Sequence, residues 1–245
     1  MYQTNSEAII LRTHKLSEAD KIVVFLSRKS GLVRGVARGA RRLKSRFGAG
    51  LEPFTKVSIS WSEKEARELV SIRQVEIEKS YFDLSRNPEA VEALEQMCAS
   101  TLLFVPPSQP DERMFRMVTA CVDALGERPE VARAILTYFE LWLLHLSGFL
   151  PDLSACGGCG RGLAGGPGGV WARADGVLLC RACAGEADAP LGPEVFRSLE
   201  VSRRYSPGRW AEQFLLRDGA VRRETAQYAR RLLTRVGGQP QPKGR

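Results

Sequence analysis

Two pairs of cysteines with the same internal spacing constrain the fold of this chain more than any other feature. Cys156 and Cys159 form the first pair, 20 residues follow, and Cys180 and Cys183 form the second pair. Two CxxC pairs at this separation are typical of a tetrahedral zinc site with four thiolate ligands. Because cysteine fills all four positions, none stays open for water, so the predicted zinc ion is structural rather than catalytic.

A redox-active CxxC motif and plain buried cysteines are the alternatives to this metal site. A thioredoxin-like motif lies beside a strand–helix–strand unit, and no such pattern surrounds these cysteines. The surrounding segment, 151–190, is rich in glycine and poor in large apolar residues. We therefore expect it to need the metal ion to hold its shape. Cys98 and Cys121 stand on the apolar sides of predicted helices and are expected to be core residues.

The first 80 residues are predicted to form a small β-structure. Five runs are rich in β-branched and apolar residues, at 8–13, 21–27, 32–38, 56–62 and 70–77. In the fourth run Val57, Ile59 and Trp61 alternate with serines, as in a strand with one buried face. Since no long helical stretch separates the runs, the pattern favours a five-stranded antiparallel barrel over a parallel sheet.

The rest of the chain is predicted to be mainly helical. Asn87 is placed as an N-cap before Pro88, and Asp111 and Pro129 begin two further helices, giving three antiparallel helices over 81–150. More helices are expected over 191–236, packed on the first three, and a flexible tail over 237–245. The predicted architecture is an α+β multidomain protein: a barrel (1–80), a helical domain (81–150), an inserted cysteine segment (151–190) and C-terminal helices.

Positive charge is concentrated at the two ends of the chain. The 245 residues carry a net charge of +8 and have a pI near 9.4. The net charge is +7 over 1–80, −5 over 81–150 and +6 over 151–245. This distribution points to a polyanionic partner that contacts the ends of the chain.

The densest basic stretch runs from Arg28 to Arg46 and contains no acidic residue. Guanidinium groups and small residues in one loop suit phosphate binding. The predicted DNA-binding residues are Arg34, Arg38, Arg41, Arg42, Lys44, Ser45 and Arg46. Phe47 and Phe54 are candidates for stacking on unpaired bases. A solvated charge run is the alternative, although such surfaces usually mix both signs. An arginine-rich helix over 222–235 fits a DNA contact and a basic solvent face equally well.

Motifs for catalysis and nucleotide binding are missing from the sequence. There is no Walker A motif and no HExxH, and the GxGxxG match at 160–165 follows no predicted strand. We expect a non-enzymatic protein without a nucleotide cofactor. The longest apolar stretch, 137–150, is too short for a membrane span, and the N-terminus lacks a signal-peptide pattern. We expect no membrane partner and a cytoplasmic, nucleoid-associated location.

Several of these segments together resemble the RecO family of bacterial recombination mediators. The resemblance lies in Ser6–Leu11, Gly31–Leu32, Val36–Arg42 with Lys44 and Ser45, Leu51–Phe54, and Phe139–Leu144 leading through Gly148 and Pro151 to the first cysteine pair. It implies an N-terminal OB-fold, a central helical domain and a zinc-finger-like insert. It also implies binding of single- and double-stranded DNA, annealing of complementary strands without nucleotide hydrolysis, and loading of the recombinase at gaps. The implied protein partners are RecR and single-stranded DNA-binding protein.

Two other function classes remain compatible with the residues. One is a nucleic-acid-binding module of transcription or translation that combines an OB-fold with a zinc ribbon. The other is an assembly adaptor that works through the acidic helical middle, with no salt-sensitive DNA affinity. A zinc-dependent hydrolase is the weakest option, because four cysteines leave the metal no open coordination position.

Overall fold

The computed structural model describes residues 2–63, 69–163 and 169–237. Its internal contacts group into two compact units, residues 1–130 and residues 131–245. The first unit contains a β-barrel and two helices, and the second contains four helices and a small sheet. The finer domain boundaries predicted from the sequence stay predictions.

Five strands of the first unit close into an OB-like barrel. They are β1 (Tyr2–Lys15), β2 (Lys21–Ser27), β3 (Gly31–Ala37), β4 (Lys56–Glu63) and β5 (Val70–Lys79). Their order around the barrel is β1-β2-β3-β5-β4. All neighbouring strands are antiparallel except β3 and β5, which pair in parallel at Gly35–Val70 and Val36–Ser71. The prediction of five N-terminal strands is confirmed.

The barrel interior is filled by the apolar residues of the alternating strands. Phe25 of β2 and Trp61 of β4 meet edge to face, with ring centroids 5.4 Å apart. Both rings are buried, as is Ile59, two residues before Trp61 on the same face. The apolar residues Ile72 and Val75 of β5 are three positions apart, which breaks a period of two, and a register shift opposite Ser60 and Trp61 accounts for this spacing.

Barrel closure depends on a glycine at the point where β3 meets β5. A Cβ atom at Gly35 would lie 2.8 Å from Cγ1 of Ile72 and 2.9 Å from Cγ2 of Val70. Any larger side chain would push these two strands apart, because real Cβ atoms do not approach neighbours so closely. The absence of a side chain at position 35 therefore lets the short parallel pair form.

The two helices of the first unit begin at the predicted caps. Helix α1 (Pro88–Phe104) follows Asn87, whose Oδ1 accepts a hydrogen bond from the backbone N–H of Ala90 at 3.0 Å. Helix α2 (Glu112–Glu127) follows Asp111, whose carboxylate accepts bonds from two backbone N–H groups of the first turn at 2.8 and 3.0 Å. Each cap satisfies backbone donors that have no partner inside the helix.

Both helices attach to the outside of the barrel. The buried Cys98 thiol of α1 donates to the carbonyl of Leu11 in β1 at 3.3 Å. The Asp123 carboxylate of α2 accepts bonds from Lys56 Nζ at 3.0 Å, from Lys79 Nζ at 2.9 Å and from the Tyr81 hydroxyl. Burial raises the pKa of Asp123, but these three hydrogen bonds outweigh it and hold the pKa below its usual value.

The described part of the second unit combines helices that pack on one another with a short three-stranded sheet. Helix α3 (Ala132–Leu146) comes first, then β6 (Val170–Ala172), β7 (Leu178–Cys180) and β8 (Ala189–Leu191) in the sheet order β7-β6-β8. Helices α4 (Pro193–Ser202), α5 (Pro207–Leu215) and α6 (Gly219–Gly237) complete it. Breaks between them precede Pro207 and Gly219, the first residues of α5 and α6. Apart from Gly237, which ends α6, the predicted flexible tail lies outside the described residues.

Aromatic residues of α3 fasten this helix to α4 and α5. The Tyr138 hydroxyl donates to the carbonyl of Tyr205 at 2.8 Å, and Trp142 Nε1 donates to the carbonyl of Ser202 at 2.9 Å. Trp210, fully buried in α5, donates through Nε1 to the carbonyl of Ser198 at 3.2 Å. The rings of Tyr138 and Trp210 are buried and that of Trp142 is half-buried, and the polar atom of each keeps a partner. No helix in the described ranges has both the length and the apolarity to cross a bilayer.

Candidate functional site

Two tight turns hold the four paired cysteines in the second unit. In the first turn the N–H of Gly160 donates to the carbonyl of Cys156 at 2.8 Å, and the N–H of Gly157 donates to Leu178 in β7 at 2.9 Å. In the second turn the N–H of Cys183 donates to the carbonyl of Cys180, the last residue of β7, at 3.0 Å. Strand β7 therefore carries one turn and binds the other, which brings the two pairs together.

The four sulfur atoms lie at distances that suit a tetrahedral metal ion. All four Sγ atoms are within 4.8 Å of one another, and those of Cys159 and Cys180 are 3.8 Å apart. Four sulfurs placed about 2.3 Å from a zinc ion would have separations of about 3.8 Å. The donor set and its spacing thus fit zinc, and this cluster can hold a metal ion.

The surroundings of the cluster favour a thiolate at one cysteine and oppose it at another. Backbone N–H groups of Cys180 and Gly158 point at the Cys156 sulfur, at 3.2 and 3.4 Å, and lower the pKa of Cys156 to about 6. Hydrogen bonds with the other three sulfurs, beginning with Cys159, raise the pKa of Cys183 to about 12. A divalent cation removes this conflict, because coordinated thiols are deprotonated.

The predicted phosphate contacts lie on β3 and on the loop that follows it. Arg34 and Arg38 are exposed, whereas Val33 and Ala37 face the barrel core. Arg34 thus lies on the outer face of β3, and Arg38 is exposed in the turn that begins directly after the strand. Arg42, Lys44 and Arg46 are exposed on the loop beyond.

The loop that carries this charge is fastened to the turn between β1 and β2. The Arg41 guanidinium donates to the carbonyls of Ser17 and Glu18 at 2.9 and 3.1 Å. The N–H of Arg41 donates to Ala19, and the N–H of Gly39 donates to the Asp20 carboxylate at 2.8 Å. Arg41 thus braces the loop with part of its donor set, a role that the sequence pattern did not indicate.

The remaining cations of the loop are free of acidic neighbours within the described ranges. There, no carboxylate forms an ion pair with Arg34, Arg38, Arg42 or Lys44. The guanidinium of Arg46 lies over the Phe47 ring, 4.9 Å from its centroid. The Ser45 hydroxyl accepts a hydrogen bond from the backbone N–H of Phe47 at 3.3 Å. The structure therefore places all seven predicted residues on one strand and the loop that follows it. Five of them, Arg34, Arg38, Arg42, Lys44 and Arg46, have exposed positive groups that do not fasten the loop.

Neither aromatic residue near the loop is placed as a free stacking platform. The prediction for Phe47 is wrong: its ring is 3% exposed and packs in the barrel core. Phe54 is half-buried and lies in a groove beside α1, away from the basic loop. The sequence reasoning instead missed Leu43, which is fully exposed between Arg42 and Lys44 at the loop tip. In the sequence, Leu43 could have been noticed as an apolar residue inside a run of basic residues.

Helix α6 has one buried and one basic face. Tyr228 and Leu232 are buried, whereas Arg231 is exposed to solvent. Arg230 Nε lies 3.6 Å from a carboxylate oxygen of Glu140 in α3. Glu140 is 4% exposed, and burial raises its pKa to about 7 despite the opposing effect of Arg230. Arg230 of α6 thus pairs with a buried carboxyl group inside the second unit.

Comparison with family models identifies the chain. The model for the recombination protein O N-terminal region matches residues 1–81, and the model for its C-terminal region matches residues 87–236. The chain belongs to the RecO family. The second match includes α6, so the arginine-rich helix lies within the region shared with this family.

Curated relatives from distant bacteria carry the name DNA repair protein RecO. The protein of Geobacter metallireducens is 31% identical over 231 residues, 90% of this chain and 92% of the relative. The protein of Symbiobacterium thermophilum is 33% identical over 205 residues, 83% of this chain and 80% of the relative. The protein of Koribacter versatilis is 35% identical over 158 residues, which is 64% of each chain.

Proposed function

We propose that this RecO-family protein is a non-enzymatic mediator of DNA repair and recombination. It binds single- and double-stranded DNA, anneals complementary strands and helps to load the recombinase at gaps together with RecR. The observation that carries the proposal is the acid-free basic loop on an OB-like barrel in a chain whose relatives are named for DNA repair. The protein acts at the nucleoid in the cytoplasm.

Phosphate groups contact the outer face of β3 and the following loop. Arg34, Arg38, Arg42, Lys44 and Arg46 supply the charge, Arg41 adds its unbraced donors and Ser45 its hydroxyl. The brace on the turn between β1 and β2 keeps these groups in place before DNA arrives, so less conformational entropy is lost on binding. Each neutralised phosphate releases counterions, and the affinity therefore falls steeply with salt.

Annealing follows from charge rather than from nucleotide hydrolysis. A basic surface that holds two strands lowers their mutual repulsion and raises their local concentration. Base pairing then supplies the free energy of the reaction. The protein accordingly needs no nucleotide cofactor and no catalytic residue.

The four cysteines hold one structural zinc ion that keeps the glycine-rich segment folded. Zinc would be bound by Cys156, Cys159, Cys180 and Cys183, whose sulfur spacing suits it. Single-stranded DNA-binding protein is the second protein partner, since the strands to be annealed are coated with it.

An annealing time course tests this function. Two complementary labelled oligonucleotides, one coated with single-stranded DNA-binding protein, are mixed with the protein in the absence of ATP. We expect faster annealing that fades as salt rises. DNA binding without acceleration would replace the mediator by a general nucleic-acid-binding module, and absence of both would leave the assembly adaptor.

The basic loop is tested separately by the double substitution Arg38→Gln with Arg42→Gln. Affinity for single-stranded DNA should fall about tenfold, and the salt slope of log K should become shallower by about 1.4, at about 0.7 per lost phosphate contact. The matched control is Arg113→Gln with Arg116→Gln, which removes the same charge from exposed positions of α2. Equal effects of the two variants on DNA affinity would mean that the loop contributes only through the overall positive charge of the protein.

A further inference from the structure

An apolar groove in the first unit lies outside the proposed DNA contacts. It has a volume of about 760 Å³ and is bounded by β1, residues 52–55, the turn after β5 and the first half of α1. Leu11, Leu84 and Leu94 are buried on its lining. Its size falls within the range of about 300–1,000 Å³ typical of binding pockets, and no residue of the basic loop lines it.

Two aromatic side chains stand on this groove without full burial. Phe82 is 73% exposed, although a ring of this size gains from leaving water. Phe54 has a backbone φ of +62°, a conformation that is rare for a bulky residue. Its N–H donates to the carbonyl of Ile10 at 2.6 Å, which holds this conformation. Strained backbone of this kind occurs where a side chain is positioned for contact with another molecule.

The helix edge of the groove is acidic. Glu92 and Glu95 are exposed on α1, and within the described ranges neither forms an ion pair. The Glu92 carboxylate accepts a hydrogen bond from the neutral amide of Gln96, at 3.0 Å. The opposite edge carries Glu52, which lies 3.7 Å from Lys21, and Arg12. The edge on α1 therefore repels phosphates and attracts cations.

We propose that this groove docks an amphipathic segment of a partner protein that carries lysine or arginine beside its apolar residues. The apolar side chains would cover Phe54 and Phe82, and the cations would pair with Glu92 and Glu95. Docking of an amphipathic helix in a groove is a common mode of peptide recognition, and complementary charge selects the partner. Because the groove and the basic loop share no residues, DNA and this segment can bind independently.

Synthetic peptides of about 16 residues test the proposal by fluorescence anisotropy with the full-length protein. The first peptide has leucines at helical spacing flanked by lysines. The second keeps the leucines but has glutamates at the flanks, and the third keeps the lysines but has alanines for leucines. We expect the first to bind at least tenfold more tightly than either of the others. Equal binding of the first two peptides, or of the first and third, would overturn the proposal.

Variants then locate the contact. Glu92→Lys with Glu95→Lys should weaken the lysine-flanked peptide at least tenfold and favour the glutamate-flanked one. The control, Glu76→Lys with Glu186→Lys, makes the same charge change at exposed positions away from the groove. Ala99→Trp fills the groove from an exposed position of α1 and should also abolish binding. DNA affinity should not fall in any of these variants, which separates this proposal from the proposed function. Peptide affinity that survives both groove variants would refute the docking site.

Discussion

The barrel and the cysteine segment are both small β-structures, yet they are stabilised in different ways. The barrel strands are seven to fourteen residues long and enclose a core of buried apolar side chains that includes Phe25 and Trp61. Strands β6, β7 and β8 have three residues each. Three-residue strands bury too little apolar surface to repay the entropy of ordering the chain.

The difference in strand length indicates that the two regions obtain their stability from different sources. The barrel is stabilised by apolar burial, which is distributed over many side chains. If the four cysteines hold the proposed zinc ion, the stability of the cysteine segment is concentrated at the point where the four sulfurs meet. Loss of a single ligand should therefore affect the segment as a whole, while barrel substitutions should leave it intact.

Cys156→Ser should give the largest effect. The bound metal should fall from one zinc ion per chain to none, because the remaining three sulfurs lose the tetrahedral arrangement; structural zinc sites contribute about 10 kcal/mol or more to folding in isolated peptides. Metal analysis under reducing conditions measures the loss, and hydrogen exchange should show opening of residues 155–163 and 169–184 with the barrel still protected.

Cys121→Ala is the matched control for this substitution. Cys121 is fully buried in α2 of the first unit, so its removal takes away a thiol without touching the cluster. Zinc content should stay at one per chain. Wild-type protein without zinc would contradict the metal site, and loss of zinc in the control would contradict its confinement to four cysteines.

Trp61→Ala should destabilise the barrel and leave the cysteine segment intact. Trp61 is fully buried against Phe25, and removal of a buried aromatic side chain costs about 3–5 kcal/mol through lost burial and the cavity left behind. Denaturant unfolding measures this loss, while zinc content should not change. Trp61→Phe should cost clearly less, since it keeps an aromatic ring in the core. Release of zinc by either variant would indicate that the two regions do not unfold independently.

Glu140→Gln should give the smallest effect and should appear only in the pH profile. The folded protein raises the pKa of this buried carboxyl from 4.5 to about 7, so it holds the proton more tightly than the unfolded chain. The resulting stability is complete below about pH 4.5 and is lost as pH rises towards 7, a loss of about 2–3 kcal/mol.

Denaturant unfolding of the zinc-loaded protein from pH 5 to pH 8 measures this effect. The glutamine variant should have a flatter profile and greater stability than the wild type at pH 8. Glu186→Gln, at an exposed position, should reproduce the wild-type profile. Parallel profiles for wild type and Glu140→Gln would mean that Glu140 does not titrate in this range.

Local signals predicted most of the secondary structure. The five strands follow from runs of β-branched and apolar residues, and both caps follow from Asn87 and Asp111, whose side chains accept hydrogen bonds from nearby backbone. The third helix begins at Ala132 rather than at Pro129, because a single 3₁₀ turn precedes it. Such interactions span a few residues, and sequence reasoning is most reliable there.

The roles of individual side chains in the basic loop were harder to predict. Arg41 braces the loop because two carbonyls of the β1–β2 turn come within reach, and Phe47 turns inward because the barrel has room for its ring. Leu43 is fully exposed to solvent. All three outcomes depend on neighbours that are distant in sequence or on the space inside the barrel.

The sequence by itself determined which residues could form the two sites: the spacing of four cysteines and an acid-free basic run are properties of the chain. Only the tertiary structure decided the separation of the four sulfurs, the closure of the barrel at Gly35 and the groove between the 52–55 segment and α1. The physical reason is range. Spacing and capping act between near neighbours, whereas a cluster, a closed sheet and a groove need segments that tens of residues of chain separate.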